Sequence, residues 1–353
     1  EINMGVDAFR DSLYAMLKRN TFLNIKFENM LDTLGEMSRT DLYSYLKEWE
    51  QLTPLPFYSI GEPELTKVVN KGGEEFFVLK VLVSNNSDYD GIIQMNVLQN
   101  GWWYQPMEDP RARKKVEIAA HTSKEFVSVW EEQIRDVEIN TMVSGNLPYM
   151  IRQSIGNVKQ ERNKIVKDTI YTLPESSLEM PGEVIVDNED STLFVLSTPA
   201  VVGLLPKWLD KVEDTSFKYS GISWWRAPLQ WTATTNAKYY GKYIRSAYVI
   251  KSGDGSQTAT WKIPVPEAGQ YELYYHVFKD DELRWNDRLQ GEYHFRVAYD
   301  SEMEDAYINL RKANEGWEQL GTYYFSADTV RVMLTDECKL RSVTADAVKI
   351  VKR

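Results

Sequence analysis

Apolar residues recur every three or four positions in the first fifty residues and at every second position through most of the rest. Val6, Phe9, Leu13, Met16 and Leu17 form one helical stripe, Phe27, Met30, Leu31 and Leu34 a second, and Leu42, Tyr45, Leu46 and Trp49 a third. Ser38 and Asp41 have the spacing of a capping box ahead of the third helix. Three short amphipathic helices cannot fully cover one another's stripes, so residues 1–51 read as a helical segment left from an upstream domain. The prolines of LTPLPFY at 52–58 end the helical period. After them Phe77, Leu79, Val81 and Val83 share one strand face, NNSDYDG at 85–91 has turn chemistry, and Ile93, Met95 and Val97 resume the alternation. With further strands expected at 115–119, 124–130 and 136–142, residues 52–156 read as an immunoglobulin- or fibronectin-like β-sandwich.

Residues 157–181 are charged and then bounded by Pro174 and Pro181, which reads as a linker with room for a strand at 165–172. Strands are expected again at 257–265, 271–278, 292–299, 305–310, 321–325, 329–334 and 343–351, giving a second sandwich over 182–353. The fold class expected is mainly β: a short helical start, then two sandwiches. The runs 257–265 and 271–278 flank a Pro and Gly turn and read as a hairpin. Trp261 and Ile263, Tyr271, Leu273, Tyr275 and Val277, and Tyr293, Phe295 and Val297 line its core face. The other face would gather Tyr274, His276, Phe278, His294 and Arg296, a mixture suited to stacking on a sugar ring or a flat partner.

Composition narrows the function. The 353 residues carry 41 basic and 52 acidic side chains, a formal charge of −11 that repels nucleic acid and anionic membranes at long range. One cysteine, Cys338, allows no intrachain disulfide. No apolar run is long enough to span a bilayer, and the start EINMG has no signal-peptide pattern, so the chain reads as part of a larger protein with any secretion signal upstream.

Catalytic signatures are missing. No GxSxG elbow, Walker loop or Rossmann glycine fingerprint occurs, and His121, His276 and His294 cannot form HExxH, so no cofactor, metal or catalytic residue is assigned. Carboxylates cluster at Asp187, Glu189 and Asp190, around Asn188, and at Asp280, Asp281 and Glu282, where solvated turns are the simpler reading and half of an acid/base pair or a calcium site the sharper ones. Asp346 sits on the apolar face of the last strand and therefore needs a buried hydrogen-bond partner. Arg111, Arg113, Lys114 and Lys115 form a basic cluster read as a solvated edge or an internal salt-bridge partner. The aromatic belt of Trp224, Trp225, Trp231, Tyr239, Tyr240 and Tyr243 remains as binding chemistry.

GDGSQTATWKIPVPEAGQYELYYHV, then GWEQLGTYYFSADTVRVMLTD at 316–336 and VTADAVKIV at 343–351, resembles the golvesin C-terminal-like domain, also similar to the carbohydrate-binding-like domain of xanthan lyase. The resemblance implies a jelly-roll-type β-sandwich appended to secreted or surface bacterial proteins, in an extracellular, periplasmic or cell-surface setting. MGVDAFRDSLYAMLKRNTF and MLDTLGEMSRTDLYSYLKEWEQLTPLPFY, within residues 1–155, resemble the end of a gluzincin aminopeptidase catalytic domain, with the zinc motif absent. The function expected is a non-catalytic accessory region that binds carbohydrate through Trp224, Trp225, Trp231, Tyr239, Tyr240, Tyr274, His276 and Arg296. The alternative is a scaffold that holds an upstream peptidase-like domain or contacts other proteins; an enzyme in its own right is the third reading.

Overall fold

The computed structural model describes residues 6–21, 26–38, 41–42, 55–99, 109–156, 158–162, 166–175, 178, 182–197, 218–219, 221, 226–279 and 291–353. Helices α1 (Val6–Arg19) and α2 (Phe27–Ser38) bury Met16, Leu31 and Leu34. Asp7 in the first turn of α1 and Lys18 and Arg19 in its last complement the helix dipole. The third expected helix, on Tyr45, Leu46 and Trp49, lies outside the described residues.

The first body is a two-layer sandwich. Its strands are β1 (Tyr58–Ile60), β2 (Glu64–Val69), β3 (Glu75–Asn85), β4 (Gly91–Gln99), β5 (Arg113–Ile118), β6 (Thr122–Trp130), β7 (Ile134–Asn140), β8 (Met150–Ser154), β9 (Val158–Arg162) and β10 (Thr169–Pro174). One sheet has the order β10-β6-β3-β2-β9 with β1 also on β3, and the other β5-β4-β7-β8. Leu79, Val81 and Val83 meet Ile93, Met95 and Val97 in the core between them, as their alternation requires.

The stretch 157–181 is not a free linker. Strand β9 adds parallel to β2, and β10 pairs antiparallel with β6, so the first body continues to Pro174. Both are edge strands with exposed side chains, which is why their composition reads as solvent-facing rather than as sheet.

The second body comprises β11 (Glu183–Val186), β12 (Phe194–Leu196), β13 (Thr232–Thr235), β14 (Ser246–Lys251), β15 (Thr258–Pro264), β16 (Gly269–Val277), β17 (Glu292–Tyr299), β18 (Glu302–Asn309), β19 (Gly316–Phe325), β20 (Thr329–Thr335), β21 (Ser342–Ala345) and β22 (Val348–Lys352). They build sheets β11-β22-β16-β19 and β12-β15-β20-β17-β18, plus a three-stranded sheet β13-β14-β21.

Strands β15 and β16 are not a hairpin: each pairs within a different sheet. The chain arches from one layer to the other through residues 265–268, between Pro264 and Gly269. Pro264 and Pro266 lack the amide that a continued ladder would use. Trp261, Tyr275 and Phe295 do all reach one core, with ring centres 6.0 Å apart for Trp261–Tyr275 and 5.0 Å for Tyr275–Phe295. The last expected strand divides at Asp346 and Ala347: β21 joins the three-stranded sheet, whereas β22 joins β11 and β16.

Candidate functional site

The arch separates the expected ligand face into two. Tyr274 and His276 project outward from β16, and Arg296 projects from β17 on the opposite sheet, where His294 stacks on Tyr307 (5.0 Å between centres) and pairs with Asp305 (2.9 Å). Arg296 therefore does not join the other candidates. Trp224 and Trp225 lie outside the described residues, as do Asp280, Asp281 and Glu282. Trp231 packs against the second core, and its buried indole N–H has no acceptor among the described residues. Tyr239 is buried and meets Phe278 edge-on, at 4.8 Å.

What the structure does bring together is a platform on the outer face of the β16 sheet. His276 lies opposite Trp317 of β19, and Tyr274 lies opposite Gln319 of β19 and Lys349 of β22. The Tyr240 ring, from the loop between β13 and β14, stands 5.1 Å from Trp317 and 5.8 Å from His276, and His276 stands 5.1 Å from Trp317. The Lys349 ammonium lies 4.8 Å from the centre of the Trp317 ring and 5.4 Å from that of Tyr274, within cation–π range, and pairs with Glu183 at 2.8 Å. The Tyr274 hydroxyl donates to Glu272 (2.6 Å). Along β19 the face continues through exposed Gln319 and Thr322 to Tyr324. Trp317 and Lys349 were absent from the sequence-based candidates, although Lys349, alternating with Val348 and Ile350, is marked by position as outward-facing.

Beneath the platform lies Asp346, fully buried. Its carboxylate accepts from the Tyr240 amide (3.1 and 3.2 Å) and meets His276 Nδ1 at 2.8 Å. This is the buried partner that the sequence demands for Asp346. Burial pushes its pKa up, while His276, the Tyr240 amide and Arg245 pull it back. Burial likewise raises Asp187, helped by the charges of Asp346, Asp190 and Glu189. Glu189 is occupied by Lys218 (2.6 Å) and by the Ser246 hydroxyl, and Asn188 bonds Ser246 at 2.6 Å. Among the described residues no three His, Cys, Asp or Glu side chains are grouped to hold a metal ion.

A pH dependence follows from Asp187. A carboxyl whose folded pKa lies above its ordinary value, 3.8, supports folding most when protonated, and that support is lost as pH rises through the folded pKa. Asp187→Asn keeps an acceptor for the Asn188 amide, now 2.7 Å away, and removes the charge. The variant unfolds at a higher temperature than the parent at neutral pH, and the gap closes in acid. Equal melting temperatures at neutral pH would show that the charge carries no cost.

Elsewhere the chemistry is structural. Arg111 of the basic cluster pairs with Asp109 (2.7 Å) and covers the Trp130 ring at 5.2 Å. His121 bridges Asp88 and Glu175, each at 2.7 Å, and these hydrogen bonds raise its pKa. Burial raises the Cys338 thiol, which keeps it from acting as a ready nucleophile.

No curated protein matches the chain. Among solved structures, Bacteroides uniformis beta-glucuronidase 2 bound to cyclophellitol-6-carboxylate aziridine is 12% identical over 90% of this chain and 32% of its own, with a TM-score of 0.23. A second crystal structure of Bacteroides uniformis beta-glucuronidase gives the same figures of 12%, 90%, 32% and 0.23. The structure of Sulfolobus Turreted Icosahedral Virus is 10% identical over 86% of this chain and 94% of its own, with a TM-score of 0.17. The chain thus spans about a third of the glucuronidases' length (32%), and TM-scores this low carry nothing about architecture or activity. The family comparison matches residues 224–352 to the Golvesin C-terminal domain. That stretch, which is similar to the Golvesin C-terminal domain, holds Tyr240, Tyr274, His276, Trp317 and Lys349.

Proposed function

We propose that this chain is a non-catalytic accessory region of an extracellular or cell-surface protein, and that it binds carbohydrate on the outer face of the β16 sheet. One observation carries the reading: Tyr240, Tyr274, His276 and Trp317 form a partly exposed aromatic platform with Lys349 and Glu183 at its side. The flat apolar face of a pyranose stacks on such rings, while its hydroxyls need the donors and acceptors that Gln319, Thr322 and Glu272 supply. The Golvesin match supports a carbohydrate-binding-like accessory role. No helix among the described residues is long and apolar enough to cross a membrane.

Trp317 provides the test. Titrating the chain with a panel of soluble polysaccharides, by calorimetry or affinity electrophoresis, is expected to find at least one ligand, and Trp317→Ala is expected to weaken it by about tenfold or more, about 1.4 kcal/mol. Failure of the whole panel, or a variant that binds as well as the parent, favours the scaffold reading, in which rings such as Trp231 and Tyr239 are already consumed in packing.

A further inference from the structure

The loop at 236–245 carries Tyr240 and is held from two sides. On its own side, the Tyr240 amide binds Asp346, Arg245 Nη1 donates to the Ala237 carbonyl (2.9 Å), and the Asn236 amide donates to the Arg245 carbonyl (3.1 Å). Gly241, at φ +147°, leaves no room for a Cβ, which would collide with the Ile244 carbonyl, so the loop has one tight path. On the other side the partner comes from the first body. The Leu147 amide donates to the Tyr243 carbonyl (3.0 Å), and the Arg245 amide donates to the Leu147 carbonyl (2.7 Å), a single parallel bridge between Leu147 and Ile244. Asn146 donates to the same Tyr243 carbonyl at 3.3 Å, and is itself fixed by the Tyr58 amide (2.9 Å) and carbonyl (2.8 Å). The Phe57 ring lies 5.3 Å from that of Tyr243.

The Tyr243 carbonyl and the Arg245 amide are thus satisfied by the other sandwich rather than by their own. Such groups cost free energy when stripped of partners away from water. We infer that the first sandwich is part of the ligand-binding unit: Asn146 and Leu147 are positioning residues that set the 236–245 loop and thereby place the Tyr240 ring against His276 and Trp317. The unit that presents the platform is then larger than the matched stretch 224–352. The effect on a ligand rests on the carbohydrate reading; the coupling between the bodies does not.

The experiment uses the full chain with Asn146→Ala, Tyr243→Ala and Tyr243→Phe. Tyr243→Ala removes the ring that meets Phe57 and keeps the carbonyl; Tyr243→Phe keeps the ring. Hydrogen exchange at the Tyr240 and Arg245 amides is expected to quicken at least tenfold in both alanine variants and to stay near parental in Tyr243→Phe, with the amides of β20 unchanged in all three. Affinity for the polysaccharide that the parent binds is expected to fall severalfold in the alanine variants alone. Parental exchange at Tyr240 in both alanine variants overturns the coupling. Quickened exchange with parental affinity overturns its consequence for the ligand. A parent that binds no polysaccharide overturns the carbohydrate reading instead, and exchange alone then decides the coupling.

Discussion

Trp261→Ala is expected to lower the unfolding free energy of the second sandwich by about 3–5 kcal/mol, the range for emptying a large buried aromatic site. Trp261 is fully buried in β15 and touches both layers: Phe194 at 5.4 Å on its own sheet and Tyr275 at 6.0 Å across the core. Its indole N–H donates to the Asp346 carbonyl at 3.3 Å, at the break between β21 and β22. The alanine therefore leaves both a void and a buried carbonyl without a donor. Trp261→Phe keeps most of the volume and loses only the donor, so its cost is expected near 1 kcal/mol plus a smaller packing loss. Urea unfolding followed by circular dichroism measures both. With the first sandwich untouched, the alanine variant is expected to show the second sandwich melting as a separate, earlier step. A single transition at the parental midpoint would mean that the core closes over the gap.

Why Trp261 was legible as core, while its strand neighbour was not, has a physical reason. Alternation reports which side chains face inward; it does not report which strand lies alongside. A hairpin puts two apolar rows on one face of one sheet, and an arch points them at each other across a core, yet both demand the same pattern from 258 to 277. Trp261, Tyr275 and Phe295 are inside under either topology. The outward rows differ, which is why Tyr274 and His276 part from Arg296. Trp317 was hidden by a related ambiguity: β19 begins five residues before the clear alternation of 321–325, and where its pairing with β16 shifts register between Leu273 and Tyr274 the extra residue Leu320 changes the phase. Strand β9 was hidden because edge strands wear charges that also suit loops, whereas β10 overlaps the strand expected at 165–172. Asp346 was the converse case, since a carboxylate among Val348 and Ile350 has to be paid for by partners, and they are present.

Asp346→Ala is the second large effect, expected to cost about 3–5 kcal/mol, as does breaking a buried charge network from one side. Two groups lose their partner at once, the Tyr240 amide and His276 Nδ1, and Arg245, whose pKa burial lowers, loses the Asp346 charge that opposes that shift. The carboxylate itself is no gift to stability, because burial holds its pKa above the ordinary 3.8 despite those partners. The sign is the one that applies to Asp187: the stability linked to Asp346 is fully present below the ordinary value and is lost as pH rises through the raised folded one. Asp346→Asn separates the two roles, since the amide oxygen still accepts from Tyr240 while the charge facing Arg245 is gone. It is expected to be milder than the alanine at neutral pH, to flatten the pH dependence, and to retain more of any polysaccharide affinity. Chemical unfolding of the two variants at neutral and acidic pH, with affinity measured beside it, distinguishes these roles. If asparagine and alanine are equally destabilising, hydrogen bonding to Tyr240 contributes little and the negative charge of Asp346 near Arg245 is what holds the platform in place.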